Sequence, residues 1–356
     1  MCATSAADAR DRALRRLVAA GRLLLVGHAR PDGDTLGCLA GLGASAQRAG
    51  KTVRLLVPDR IPRLYGFLFR GDPGTGERGE ASSGPPSDSL KVEPVERFAE
   101  LADAADLIVI LDTCAFAQLD KLEPHLRARR GKIVVIDHHV TVDEVGEVKW
   151  IDTTAAATGV MVLEALETLG WPVAPAAEAL AMAITTDTGW LRFSNTDGRC
   201  LRAFGRLLEA GVRPDELYAR LYQADRPARL RLMERVLRSL EFHCGDRLAV
   251  MTLSQTDFAQ TGALPEETEN LVSEPFRVGS VEVSVLLTET PDCIRVSFRS
   301  RRCVDVASVA QGFGGGGHAR AAGARVGGRL DEQKARVVET LAAEIRKLNL
   351  TGKERL

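Results

Sequence analysis

Four short segments of the chain carry side chains of the kind that hold divalent metals. They are residues 28–34 (HARPDGD), 111–113 (LDT), 137–139 (DHH) and 186–188 (TDT). Their candidate ligands are His28, Asp32, Asp34, Asp112, Asp137, His138 and Asp187. Imidazole and carboxylate without thiolate disfavour structural zinc and suit Mn2+, with Mg2+, Co2+ or Fe2+ behind it. There is more acid here than one ion needs. Two ions about 3.5–4 Å apart, bridged by a carboxylate, would use the whole set, acidify a water and clamp a phosphoryl group, which is hydrolase chemistry. Taken singly, 28–34 reads equally well as a plain turn and 137–139 as surface histidines, while 111–113 reads more readily as a capped strand end and 186–188 as a helix cap. Their conjunction is what points to one site.

The elements that must position these residues follow from the apolar pattern. Runs 22–26, 107–111 and 132–136 are short and, past the opening Arg22 and Lys132, continuously apolar, and 53–57 is similar with Arg54 interrupting it. Such runs fit strands covered on both faces. Helical stretches lie between them: 35–49, closed by Gly50, and 154–169, closed by Gly170 as a C-terminal cap. Alternating strands and helices predict an α/β domain with a parallel sheet. In such sheets ligands collect beyond the carboxyl ends of the strands, and His28, Asp32, Asp34, Asp112, Asp137 and His138 all fall there. Asp187 follows 181–184, which reads as a strand or a helix end.

Residues 71–89 (GDPGTGERGEASSGPPSDS) are nearly free of apolar side chains and read as a flexible surface insertion. Residues 214–240 read as one or two helices, with Pro214 at a first helical position and Pro227 breaking or restarting the helix. A second, smaller α/β region follows, with strands at 248–253, 281–287 and 294–298, a glycine-rich turn and a helix over 331–347. The expected organisation is a catalytic domain over 1–212, a helical linker over 213–240 and a second domain over 241–350.

The formal net charge is -1, which argues against a protein that coats long DNA or RNA by charge. No apolar run approaches the roughly 20 residues of a membrane span. Residues 1–5 (MCATS) lack a basic stretch leading into an apolar core, so no secretion signal is expected. The seven cysteines are scattered and form no CxxC pair, which suits reduced thiols. A cytoplasmic protein without a membrane partner is the expectation.

In this order, the four segments resemble the DHH phosphoesterase family, of which Asp137-His138-His139 is the namesake triplet. Residues 313–323 (FGGGGHARAAG) resemble the GGGH motif of the DHH-associated substrate domain. The resemblance spans nearly the whole chain and is nearest to the compact bacterial oligoribonuclease/pAp phosphatase branch. It implies that His28, Asp32 and Asp112 hold one Mn2+, and that Asp34, Asp112, His138 and Asp187 hold a second, with Asp112 bridging. It further implies that His139 faces the substrate phosphate while Asp137 orients its neighbours. In the second domain it implies nucleotide contacts by Arg299, by the backbone of Gly315, Gly316 and Gly317, by His318 and by Arg320. Arg301 and Arg302 are expected to be solvated. The stretch around Arg192 and Asn195 would line the cleft, with Trp190 and Phe193 in the core. Homodimers are an expectation from the family. The insertion at 71–89 departs from the compact pattern.

The leading expectation is thus a Mn2+-dependent phosphohydrolase that degrades very short RNA to mononucleotides and also dephosphorylates pAp. The alternatives are a cyclic or linear dinucleotide phosphodiesterase acting on c-di-AMP, pApA or pGpG, a pyrophosphatase or exopolyphosphatase sharing the metal logic, and a catalytically dead nucleotide-binding regulator. The last would be expected to have lost a ligand, and none is lost.

Overall fold

The computed structural model describes residues 6–69 and 90–350, so the 71–89 stretch lies outside the described residues. The chain divides into two compact units, Met1–Ala224 and Asp225–Leu356.

The first unit is built on six strands: β1 (Arg22–Val26), β2 (Thr52–Leu56), β3 (Val92–Glu93), β4 (Leu107–Leu111), β5 (Ile133–Asp137) and β6 (Val148–Ile151). They pair in the order β3-β2-β1-β4-β5-β6, and every pairing is parallel. Its helices are α1 (Ala6–Ala19), α2 (Gly33–Arg48), α3 (Phe98–Ala104), α4 (Glu123–Arg127), α5 (Thr158–Leu169), α6 (Ala177–Asp187), α7 (Gly198–Glu209) and α8 (Pro214–Tyr222). The continuous apolar runs are explained by burial on both faces. Leu23, Leu25 and Val109 join one core with α1, α2, α5 and α6. Leu24, Val26, Ile108 and Ile110 join another with α3 and α4. Strand order reverses between β1 and β4, which makes the carboxyl ends of those two strands the topological switch point where such sheets bind ligands.

Residues 181–184, read as a strand or a helix end, belong to a helix, α6. A helix boundary differs from the pattern read off the sequence. Helix α5 starts at Thr158 instead of 154, because Asp152 Oδ1 accepts from the Thr154 amide (3.0 Å) and hydroxyl (2.6 Å) and holds that segment in a turn. Gly170 closes α5 in the left-handed conformation, φ 63°.

The packing of α2 on α6 is unusually close. Gly33, Gly37 and Gly41 recur every fourth residue on α2. A Cβ on Gly37 would run into the Ala179 carbonyl and come within 2.8 Å of the Ala183 Cβ. Only hydrogen at these positions lets the helices approach this way, and the approach brings the end of α6 to the start of α2.

The second unit opens with α9 (Pro227–Arg238), whose Pro227 starts the helix. The 214–240 stretch is therefore two helices, α8 and α9, one in each unit. The other elements are β7 (Glu241–His243), β8 (Leu248–Leu253), α10 (Gln255–Thr261), β9 (Val283–Glu289), β10 (Ile294–Ser300), α11 (Val306–Gln311), β11 (Gly316–His318), β12 (Ala321–Val326) and α12 (Leu330–Leu350). The sheet order is β11-β12-β10-β9-β8-β7, antiparallel except between β8 and β9. Val285, Val296 and Phe298 pack with α11 and α12 on one face. Met251, Leu253 and Leu286 pack with α9 on the other.

Candidate metal centre

The parallel sheet places the site residues beyond the carboxyl ends of its strands. Asp32 and Asp34 open α2, just after β1; Asp112 follows β4; His138 and His139 follow β5; Asp187 ends α6. Three groups of ligand atoms converge there: His28, Asp32 and Asp112; Asp34, His138 and Asp187; and Asp112, His138 and His139, each within 4.8 Å of one another.

Asp112 stands at the centre and is 1% exposed. Its φ of 65° lies in the left-handed region, which an aspartate tolerates better than most side chains. Its Oδ2 lies 3.6 Å from His28 Nε2, and its Oδ1 lies 3.8 Å from His138 Nε2. The two oxygens thus face two different ligand groups. The hydroxyl of Thr35 donates to Oδ2 (2.7 Å) and that of Thr158 to Oδ1 (2.9 Å), fixing the carboxylate plane.

The histidines are oriented by their other ring nitrogens. His28 Nδ1 lies 2.7 Å from the Ala29 carbonyl and His138 Nδ1 lies 3.0 Å from that of Ala155. Donation there leaves the Nε2 lone pairs turned inward. His138 Nε2 is buried without a hydrogen-bond partner, 3.5 Å from Asp187 Oδ2 and 3.9 Å from Asp34 Oδ2. Lone pairs of nitrogen and carboxylate facing one another across such distances repel unless a positive charge sits between them. These residues therefore fit divalent cations, and the mixed nitrogen and oxygen donor set has the chemistry for them.

The carboxylates are perturbed by their burial and by one another. Burial pushes Asp187 up to about 6, with Asp112 and Asp32 adding to the rise and the nearby His138 ring opposing it. Burial, then the neighbouring Asp112, Asp187 and Asp32, hold Asp34 well above the usual range. Burial also acts upward on Asp112, but His28, His139 and the Thr35 hydroxyl outweigh it and leave its pKa lowered. Asp34 also tethers the start of α5. Its oxygens accept from the amides of Thr158 (2.6 Å) and Gly159 (2.9 Å), and from Cys38 Sγ (3.3 Å).

Asp137 Oδ1 accepts from the His139 amide (3.1 Å) and pairs with its Nδ1 (2.8 Å). That hydrogen bond raises His139 to about 9 against the lowering effect of burial. His139 is open to solvent, its side chain 46% exposed, as is that of Asp32 at 57%. Asp137 Oδ2 is buried without a donor.

In the second unit, strand register sets Arg299 of β10 opposite Ala321 of β12, and Ala321 opposite His318 of β11. Directly opposed residues share a face, so Arg299 and His318 flank the small Ala321. The glycines divide by role. Gly315 is required by the fold, since a Cβ there would come within 2.7 Å of the Ala324 Cα, and Gly317 likewise meets the Ala322 Cα at 2.6 Å. Gly316 has open space around it and is exposed. Arg320 ties the 300–304 turn, donating to the Val304 carbonyl (3.0 Å). Arg301 departs from the expectation of a solvated charge: its guanidinium donates to the carbonyls of Val281, Phe276 and Val278.

Phe193 also departs from expectation. It is 55% exposed instead of lying in the core, while Trp190 is half-buried. The tight turn after α6 carries Phe193 back over Gly189 and out of the apolar interior. Asn195 straps the same turn, donating to the carbonyls of Ala156 (2.9 Å) and Asp187 (3.2 Å). Thr35, Thr158 and Cys38 carry no signal of their own in the sequence. The four-residue glycine spacing on α2 was the available signal for its close helix contact.

Comparison with known proteins identifies the two domains by family. Residues 22–186 match the DHH family, N-terminal domain, and residues 245–347 the DHHA1 domain. The chain is 32% identical over 331 residues to the bifunctional oligoribonuclease and PAP phosphatase NrnA of Thermus thermophilus, covering 91% of this chain and 90% of the relative. It is 24% identical over 308 residues to the protein of the same name from Bacillus subtilis, covering 85% and 89%. Among solved structures, an exopolyphosphatase-related protein from Bacteroides fragilis shares the fold, with a TM-score of 0.81 at 23% identity over 99% of this chain and 100% of that one.

Proposed function

The chain belongs to the DHH family, and on that premise we propose that it is a divalent-metal-dependent phosphoesterase that cleaves short oligoribonucleotides to mononucleotides and dephosphorylates pAp. The relatives named for both activities align over most of their length. The observation that carries the reading is Asp112, a buried carboxylate whose two oxygens face two separate ligand groups.

His28, Asp32 and Asp112 would hold one Mn2+, and Asp34, Asp112, His138 and Asp187 a second. Bound there, the ions would supply Lewis-acid stabilisation of phosphoryl charge and a lowered pKa for the attacking water. The chain's own residues do the rest. Thr35 and Thr158 keep Asp112 turned to both groups. Asp137 orients the His139 ring through Nδ1, so that in its charged form the imidazolium donates a hydrogen bond to a non-bridging phosphate oxygen. Arg299, His318 and the exposed backbone of Gly316 bind the nucleotide's phosphate and base, with Gly315 and Gly317 shaping the hairpin that presents them and Arg320 bracing the adjoining turn.

The test is a substrate panel with Mn2+ or Mg2+: RNAs of two to five nucleotides, pAp, pGpG, c-di-AMP and pyrophosphate. The expected result is release of mononucleotides from the short RNAs and of phosphate from pAp. Turnover of c-di-AMP or pyrophosphate above both would overturn the assignment. Metal titration of the chelated protein should end at two equivalents.

A further inference from the structure

The turn that follows the candidate ligand Asp187 is built in an unfavourable conformation. Gly189, Trp190 and Leu191 are consecutive left-handed residues, with φ of 54°, 60° and 62°. Bulky L-residues rarely adopt that region. A set of hydrogen bonds holds it, beside the Asn195 strap. Trp190 donates its amide to the Thr185 carbonyl (2.6 Å) and Leu191 to Thr188 Oγ1 (3.1 Å). The amides of Arg192 and Phe193 both donate to the Thr188 carbonyl (2.9 and 3.0 Å), and Arg192 Nε donates to the Gly189 carbonyl (2.7 Å). The Trp190 indole is braced edge-on by Tyr218 and Tyr222, with ring centroids 4.9 and 5.8 Å away.

The turn delivers one side chain to a defined place. The Phe193 ring lies on the backbone of Gly189, where any Cβ would come within 2.6 Å of Cε2. One side of the ring is thus seated on the chain two residues past Asp187, and the side chain remains 55% exposed. Isolated exposed apolar residues are ordinary; one seated by a strained, hydrogen-bonded turn directly after a candidate metal ligand is not. An aromatic ring fixed on one side and open on the other is a stacking surface, and every nucleobase has a face to stack.

We propose that Phe193 stacks on a nucleobase of the substrate and gives the adjacent centre its preference for nucleotides over base-free phosphodiesters. This inference rests on the hydrolase reading above. No base-edge hydrogen bond is involved, so the contact tolerates any base.

The experiment compares wild type, Phe193→Ala and Phe193→Tyr on pApA and on the same 5'-phosphorylated phosphodiester with both bases removed. Phe193→Ala should lower kcat/KM for pApA about 10-fold, the effect typical of one stacked base, and leave the abasic substrate unchanged. Phe193→Tyr should restore pApA cleavage. Equal loss on both substrates, or loss on neither, overturns the proposal while leaving the hydrolase reading intact. A second readout needs no turnover. In Phe193→Trp with EDTA, the fluorescence added at position 193 should be quenched by millimolar AMP and not by ribose 5-phosphate. If the wild type cleaves neither substrate the hydrolase reading fails, and absence of quenching then rejects the stacking site separately.

Discussion

At the scale of single residues, the centre depends on how one carboxylate is held. Asp112 faces His28 through one oxygen and His138 through the other. Replacing it by alanine should lower turnover by about 10³-fold or more, equivalent to about 4 kcal/mol, with an unchanged circular dichroism spectrum; an active Asp112→Ala would refute the shared-ligand role. The hydroxyls behind it matter less but measurably. Thr158→Val should weaken metal binding about 10- to 100-fold in a calorimetric titration, as loss of an outer-shell partner commonly does, and Thr158→Ser should retain it. Asp112 and the histidines were legible in the sequence because each directly follows a strand-like run. Thr35 and Thr158 were not, because a threonine at a helix start is ordinary capping chemistry until the carboxylate above it is located.

At the scale of elements, α2 is the part that assembles the site. Its N-cap is Asp32, its first turn contributes Asp34, and its glycine stripe admits α6, whose last residue is Asp187. Gly37→Val should overpack this contact by about 1–3 kcal/mol. A melting temperature several degrees lower in calorimetry, with weakened metal binding, is the expected outcome; a variant that melts like wild type would show that the helices have room to spare. At the amino end of the sheet, Asp106 ties the starts of β1 and β4. Its carboxylate accepts from the amides of Gly21 (3.1 Å) and Arg22 (2.9 Å) and pairs with the Arg22 guanidinium. The Arg22 guanidinium and amide hold its pKa below the ordinary value. A carboxylate lowered on folding contributes stability that is present above its unfolded pKa of about 3.9 and is lost as pH falls through the folded value. The gap in urea midpoint between wild type and Asp106→Asn should therefore be constant from pH 7 to about 5 and shrink below about 4. A gap unchanged at pH 3 would rule out this linkage.

At the scale of the molecule, all three ligand groups found among the described residues lie in the first unit. Chelation should lower the melting transition of that unit alone, and Mn2+ at about 100 times its dissociation constant should restore about 2.7 kcal/mol per site. A shift of both transitions in scanning calorimetry would contradict this. No described helix is long and apolar enough to cross a membrane. The sequence by itself determined the parallel α/β architecture, the ligand types and the family, because each strand, its following loop and its apolar run are local patterns. It also carried the GGGH segment, though not the division of labour within it: Gly315 and Gly317 serve the hairpin, and Gly316 is left open. Tertiary structure alone decided that Asp187 meets Asp34, that the oxygens of Asp112 separate toward two groups, and that Phe193 turns outward onto Gly189. Each of these depends on contacts between backbones or on the exact path of a turn. Residue spacing along the chain does not specify how closely two distant helices approach, and that approach is where the site is made.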